Sequence, residues 1–236
     1  MSGGDAGAML RRLAEGWARG RRVRRTLPDG TPLYVSPDAQ LKYLRGRFDA
    51  DLVALARDRV GPDSAVWDIG ANCGVFAFSC GHARQVVAVE ADPFLANLLL
   101  ESRALNQVAV TIVAAAISDA AGLASFSIAA RGRASNHLTA AGGHSQTGGE
   151  RARLTVPTIT LDTLLDNCGP PTLVKIDVEG AEEAVLRGAT RLLRDIRPAI
   201  YLEIPPGETA TRALLEAAGY RLTTIAEMNW LAEPAS

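Results

Sequence analysis

Five short apolar runs constrain this chain more than any other feature: AVWDI (65–69), QVVAVE (85–90), VTIVAAA (110–116), TLVKID (172–177) and PAIYLEI (198–204). Their near-continuous hydrophobicity fits strands covered on both faces, not strands with one wet side. Four of them hand over to amphipathic helical patterns: GVFAFSCGHA (74–83), PFLANLLLESRALN (93–106), GAEEAVLRGATRLLRD (180–195) and GETATRALLEAAG (207–219). VTIVAAA instead leads through SDAAG into LASFSIAA (123–130), predicted as a β-hairpin partner, and YRLTTIAEMNWLA (220–232) is a final extended stretch. Strands alternating with helices predict an α/β chain with a doubly wound, mostly parallel, Rossmann-like sheet. No internal repeat interrupts the pattern.

Upstream, TLPDGTPLYVS (26–36) reads as a hairpin turning on Pro-Asp-Gly, and residues 39–60 carry helical apolar spacing that GPDS breaks. The chain therefore divides into 1–60, a basic segment with a hairpin and helix, and 61–236, a ligand-binding domain. RRLAEGWARGRRVRR (11–25) holds seven arginines, either a solvated arm or a segment that meets an acidic partner. Residues 131–155 show no clean period and are read as a loop near the site, mobile or disordered.

At 236 residues with 47% hydrophobic content and a net charge of −1, the chain suits one sizeable domain and carries no overall nucleic-acid signature. No apolar run reaches the roughly 18–20 residues of a membrane span, and the first ten residues lack a signal-peptide pattern, so a cytoplasmic protein is expected. Cys73, Cys80 and Cys168 are odd in number and lack CxxC spacing, which argues against a disulfide framework or a zinc site.

Sheets of this kind bind ligands beyond the carboxyl ends of their strands. There the first run ends at Asp68 and turns through GANCG into a helix, with Gly70 and Gly74 permitting a tight bend and close ligand approach. Glu90 closes the second run twenty residues after Gly70, where a carboxylate can accept both hydroxyls of a ribose. The GxxxG spacing lacks the third glycine of a dinucleotide site. The bland alternative is that the glycines serve only the turn. VKIDVEGAEEAVLRGA (174–189) adds Asp177 and Glu179 at another strand end; Glu179 and Glu182 could instead complement a helix amino terminus.

These residues resemble the FkbM family of S-adenosylmethionine-dependent methyltransferases. VWDIGANCGVF is similar to the family's cofactor loop, VVAVEADP to the end of its second strand, and AAISDAAG to the segment after the third. TITLDTLL followed by LVKIDVEGAEEAVLRGA matches its most diagnostic pair, and RPAIYLEI and the late NWLA also fit. The resemblance covers about residues 45–231. It implies a class I methyltransferase core ending in an antiparallel strand. The basic amino-terminal segment lies outside the resemblance, and residues 1–60 are read separately as a cap on the substrate side. The resemblance also implies that Gly70, Asn72 and Gly74 line the methionine part of S-adenosylmethionine, that Asp68 reaches its amino group, and that Glu90 holds the ribose. Residues from Ala116 to Ser118 would border the adenine. The acceptor implied is a hydroxyl of a sugar, polyketide or related natural product, small, glycan-linked or carrier-bound, with a few carboxyl substrates as the alternative.

Methyl transfer to an alcohol needs in-line alignment and a base, whereas a carboxylate acceptor needs no base. Base candidates are Asp177, Glu203 and His137, whose imidazole has a suitable intrinsic basicity; a surface histidine is the plain alternative, more so for His144. Asp177, Glu179 and Glu203 could instead share a Mg²⁺ that activates the acceptor. Two other classes compete: a nicotinamide-dependent oxidoreductase, which leaves the DVEG segment unexplained, and a non-catalytic nucleoside-binding scaffold, which has no need of the acids at 177 and 179.

Overall fold

Val66, Trp67 and Ile69 make β3 (Ala65–Ile69) a strand buried along its whole length. A computed structural model of the chain describes residues 16–17, 19–106, 108–130, 132–141 and 149–235. β3 lies inside a seven-stranded sheet, next to its middle strand β10 (Leu173–Ile176), with β4 (Gln85–Val89), β5 (Val110–Val113), β11 (Ala199–Glu203), β12 (Tyr220–Thr224) and β13 (Asn229–Pro234). Its order is β12-β13-β11-β10-β3-β4-β5. The five strands from β5 to β11 run parallel, while β13 is antiparallel to both β11 and β12. The final stretch is thus two strands, not one. The order reverses direction between β3 and β10, which opens a crevice at their carboxyl ends.

Period-two alternation sends successive side chains of each strand to opposite faces. Val86 and Ala88 of β4 join one core with Phe76 and Phe78 of α2 (Val75–Ser79) and Leu95, Leu98 and Leu99 of α3 (Pro93–Asn106). Val87 and Val89 join the other with Trp67, Leu161 and Leu164 of α4 (Leu161–Cys168), Val185 and Leu186 of α5 (Glu182–Arg187) and Leu215 of α6 (Ala210–Ala217). Burial on both faces explains the unbroken apolar runs. The predicted hairpin is present as β1 (Val23–Thr26) and β2 (Pro32–Val35). Leu27, Leu33 and Val35 belong to the first core, which therefore crosses residue 60.

Three local readings need correction. Residues 39–60 do not form one helix: Gly46, in the left-handed region at φ 63°, ends a short 3₁₀ turn (Leu41–Arg45) before α1 (Ala50–Arg59) begins. The helix expected over 180–195 stops at Gly188, where a Cβ would lie 2.3 Å from the Ser118 carbonyl oxygen; a wider turn follows over Leu192–Ile196. Residues 131–155 are also not one loop, since β9 (Glu150–Ile159) starts within them. β9 pairs antiparallel with β7 (Gly122–Ala129), bulging at Ile128/Ala129. With β6 (Ala116–Ile117) and β8 (His137–Leu138) they form a second sheet, β6-β9-β7-β8. Residues 142–148, including His144, lie outside the described residues, as do Arg11 and Arg12.

The amino terminus of α4 is capped by Thr160, whose hydroxyl accepts from the Thr163 N–H at 3.0 Å. Thr160→Ala is expected to lower stability by about 1 kcal/mol. A urea titration should show a lower midpoint at unchanged slope.

Candidate active site

Two cavities adjoin at the carboxyl ends of β3 and β10. The first, about 710 Å³, is walled by Gly70, Asn72, Glu90, Ala116, Ile117, Phe126, Arg133, Asn136 and Leu138, so the second sheet forms its roof. The second, about 830 Å³, is walled by Tyr43, Asp49, Asp51, Asp68, Lys175, Tyr201 and Glu203. Gln40, Asn72, Asp177 and Glu179 border both.

Gly70 has no room for a side chain: a Cβ there would stand 1.9 Å from the Asp177 carbonyl oxygen, and its φ of 74° suits glycine. This contact is where the turns after β3 and β10 pack together. Asn72 follows at φ 52°, unusual without a glycine, and its N–H donates to Glu90 Oε2 at 2.8 Å. Glu90 Oε1 accepts from the Asp92 N–H at 2.8 Å. Each carboxylate oxygen has a further lone pair to offer, and Glu90 lines the cavity. Burial pushes the Glu90 carboxyl up to about 7, against the pull of those two N–H donors.

Asp68 and Lys175 lie side by side in register on β3 and β10, both almost wholly buried. Asp68 Oδ2 accepts from the Ala77 N–H at 3.1 Å, and Oδ1 is 3.0 Å from Lys175 Nζ. The ammonium also donates to the Gly70 carbonyl at 2.8 Å and lies 3.4 Å from Asp177 Oδ2. Burial works against its charge, but Asp68 and Asp177 outweigh that and hold its pKa above the ordinary lysine value.

Glu179 is a second non-glycine residue in the left-handed region, at φ 53°. Such strain costs on the order of 1–3 kcal/mol and persists only where surroundings impose it. Burial, with Asp177, Glu203 and Glu182 nearby, raises its carboxyl to about 8. Glu182 instead turns back to accept from the N–H groups of Val178 and Gly180, both at 3.3 Å.

Of the residues singled out from sequence, Gly70, Asn72, Glu90 and Ala116 meet at the first cavity; Asp68 and Glu203 border the second, with Asp177 and Glu179 between. Three are elsewhere. Gly74 turns into the core, where a Cβ would meet Leu99 and Phe78 at 2.6–2.7 Å. The Ser118 hydroxyl donates to Asp119, and its backbone packs on Gly188. His137 contacts the Ser135 carbonyl through Nδ1 at 3.0 Å, while its neighbours Asn136 and Leu138 line the cavity. A shared Mg²⁺ at Asp177, Glu179 and Glu203 is not supported: among the described residues no three His, Cys, Asp or Glu side chains are grouped to hold a metal ion. The positive charge beside Asp177 is Lys175. Sequence reading passed over that lysine, although a charge inside TLVKID signals a buried cation in need of a partner. It passed over Arg133 and Asn136 as well, which carry no such signal.

The sequence profile of the FkbM methyltransferase domain matches residues 68–222. This chain belongs to the FkbM methyltransferase family. A curated relative of the FkbM-family chain, the hexuronic acid methyltransferase AglP of Haloferax volcanii, is 28% identical over 183 residues, covering 75% of this chain and 72% of that protein. Among solved structures, the methyltransferase FkbM of Methylobacillus flagellatus KT aligns with a TM-score of 0.50 at 16% identity over 74% of this chain and 44% of its own. A Pyrococcus abyssi tRNA (uracil-54, C5)-methyltransferase in complex with S-adenosyl-L-homocysteine aligns with a TM-score of 0.50 at 14% identity over 91% of this chain and 44% of its own. These two likenesses speak for the fold, which is that of class I methyltransferases. The FkbM-family chain is a methyltransferase that uses S-adenosylmethionine. The oxidoreductase and scaffold readings fall with that result. Among the described residues, no helix is long and apolar enough to cross a membrane.

Proposed function

We propose that this methyltransferase acts on a hydroxyl of a sugar, polyketide or related natural-product acceptor, with S-adenosylmethionine in the first cavity and the acceptor in the second. The observation that carries this reading is the wall that the two cavities share at Asn72, Asp177 and Glu179. The first cavity fits the cofactor chemically. Glu90 offers lone pairs for ribose hydroxyls, and Ile117, Phe126 and Leu138 offer an apolar slot for a flat base. The carboxylates of Asp177 and Glu179 suit a positively charged centre at the shared wall.

When bound, S-adenosylmethionine supplies a methyl group on a cationic sulfur. The chain's own task is to align the acceptor, which can be worth on the order of 7–11 kcal/mol, and to take its proton. Glu179 suits that role better than Asp177, because burial raises its basicity and no ion pair engages it among the described residues, whereas Lys175 engages Asp177. A carboxylate acceptor would face the acids Asp49, Asp51, Asp177, Glu179 and Glu203. That favours a hydroxyl over a carboxyl acceptor, and the sugar-directed relative supports a sugar. Gln40, Tyr43, Asp49 and Asp51 support the reading of residues 1–60 as a substrate-side cap.

A screen with labelled methyl donor over glycan and polyketide alcohols tests this, with methyl ethers as the expected product. Methyl esters of uronic acids as the sole products would overturn it. Glu90→Ala is expected to weaken S-adenosylhomocysteine binding about 10- to 100-fold, the worth of hydrogen bonds to a charged group, as read by calorimetry.

A further inference from the structure

Asp38, Asp92, Arg133 and Arg151 come from four separate stretches and close into one cluster beside the first cavity. Arg133 donates from Nε to Asp38 Oδ2 at 2.8 Å and from Nη1 to Asp92 Oδ2, and its backbone N–H donates to the Asp38 carbonyl at 2.7 Å. Arg151 holds Asp38 with both terminal nitrogens, at 2.8 and 3.0 Å. Asp92 also accepts from Asn136 Nδ2 at 2.8 Å. The side chains of Asp38 and Asp92 are only 5% and 1% exposed, and two cations balance two anions. The Arg133 guanidinium lies 4.4 Å from the Phe94 ring centre. Both arginines are tied to Asp38, yet Arg133 lines the cavity and Arg151 does not.

We propose that Arg133 binds the adenosyl half of the cofactor, with its remaining nitrogen, Nη2, donating to a base or ribose acceptor. Nη2 has no hydrogen-bond partner among the described residues. A bare guanidinium beside a cationic cofactor would be repelled. Asp38 and Asp92 cancel that charge while keeping the planar donor in place. The proposal rests on the assignment of this cavity to S-adenosylmethionine.

The test is calorimetry with S-adenosylhomocysteine and with adenosine, alongside steady-state kinetics and thermal melts of the full chain. Arg133→Met is expected to weaken both ligands about 10- to 100-fold. Its KM for S-adenosylmethionine should rise by a similar factor, with kcat at saturation within about twofold of wild type. Arg151→Met, which breaks a comparable ion pair away from the cavity, is expected to lower Tm while ligand affinity stays within about threefold. Wild-type affinity in Arg133→Met, or equal weakening by Arg151→Met, would overturn the proposal and leave the cluster a purely structural tie. Should Arg133→Met not fold, Arg133→Lys keeps the charge between Asp38 and Asp92 without the third nitrogen, and the same loss of adenosine affinity is expected; its retention overturns the proposal. Unchanged ligand affinity in Glu90→Ala would instead remove the cavity assignment itself.

Discussion

Glu179→Gln is expected to cut kcat by about 10²- to 10⁴-fold, the usual worth of a positioned base. KM for S-adenosylmethionine should change much less than kcat, because the change removes the proton acceptor while Asp177 keeps its carboxylate at the wall beside the sulfur. The amide keeps the size of the side chain, so the strained backbone at φ 53° has no new clash to relieve. The wild-type rate should climb with pH through the range near 8 where the buried Glu179 carboxyl ionises, and the variant should lose that limb. Folding stability moves the other way. The folded chain holds this proton more tightly than the unfolded one, so the contribution is full below the ordinary glutamate value of 4.5 and is lost as pH rises to about 8. A stopped-time assay across pH with a saturating alcohol acceptor reads the kinetic effect. An unshifted profile with kcat near wild type would take Glu179 off the catalytic list.

Lys175→Met should cost about 3–5 kcal/mol of stability, the penalty for stripping the partner from a buried charge. Asp68 is wholly buried, and Lys175 is its only cation, at 3.0 Å among the described residues. The variant would also release the Gly70 carbonyl, which Lys175 holds at 2.8 Å, and so loosen the turn that walls both cavities. At roughly 2–4 °C per kcal/mol for a chain of this size, Tm should fall on the order of 10 °C. Adding Asp68→Asn removes the stranded charge and should restore part of the loss, since a missing pair costs less than half a pair. A single variant that melts like wild type would show that Asp68 is neutral in the native protein.

How much of this was legible depends on what each residue answers to. The parallel strands, apart from the edge strand β5, are buried on both faces, so their sequences carry the fold openly, and the acids at 90, 177 and 179 sit where such strands end. The second sheet was hidden because β9 opens with Glu150, Arg151 and Arg153, whose polarity reflects one exposed face and long-range ion pairs such as Arg151 to Asp38. His137 looked chemically apt in the chain, but strand alternation turns Asn136 and Leu138, not His137, to the cavity. Gly74 shares a motif with Gly70 yet serves packing against Leu99. Arg133 was illegible because its partners are 41 and 95 positions away.

A co-crystal structure with S-adenosylhomocysteine puts the whole account at risk in one step. The ribose hydroxyls should rest on the Glu90 carboxylate, the base between Ile117, Phe126 and Leu138, and the sulfur at the wall beside Asp177 and Glu179. Ligand found instead against Tyr43, Asp51 and Tyr201, or a Glu90 that leaves the ribose untouched, would contradict it.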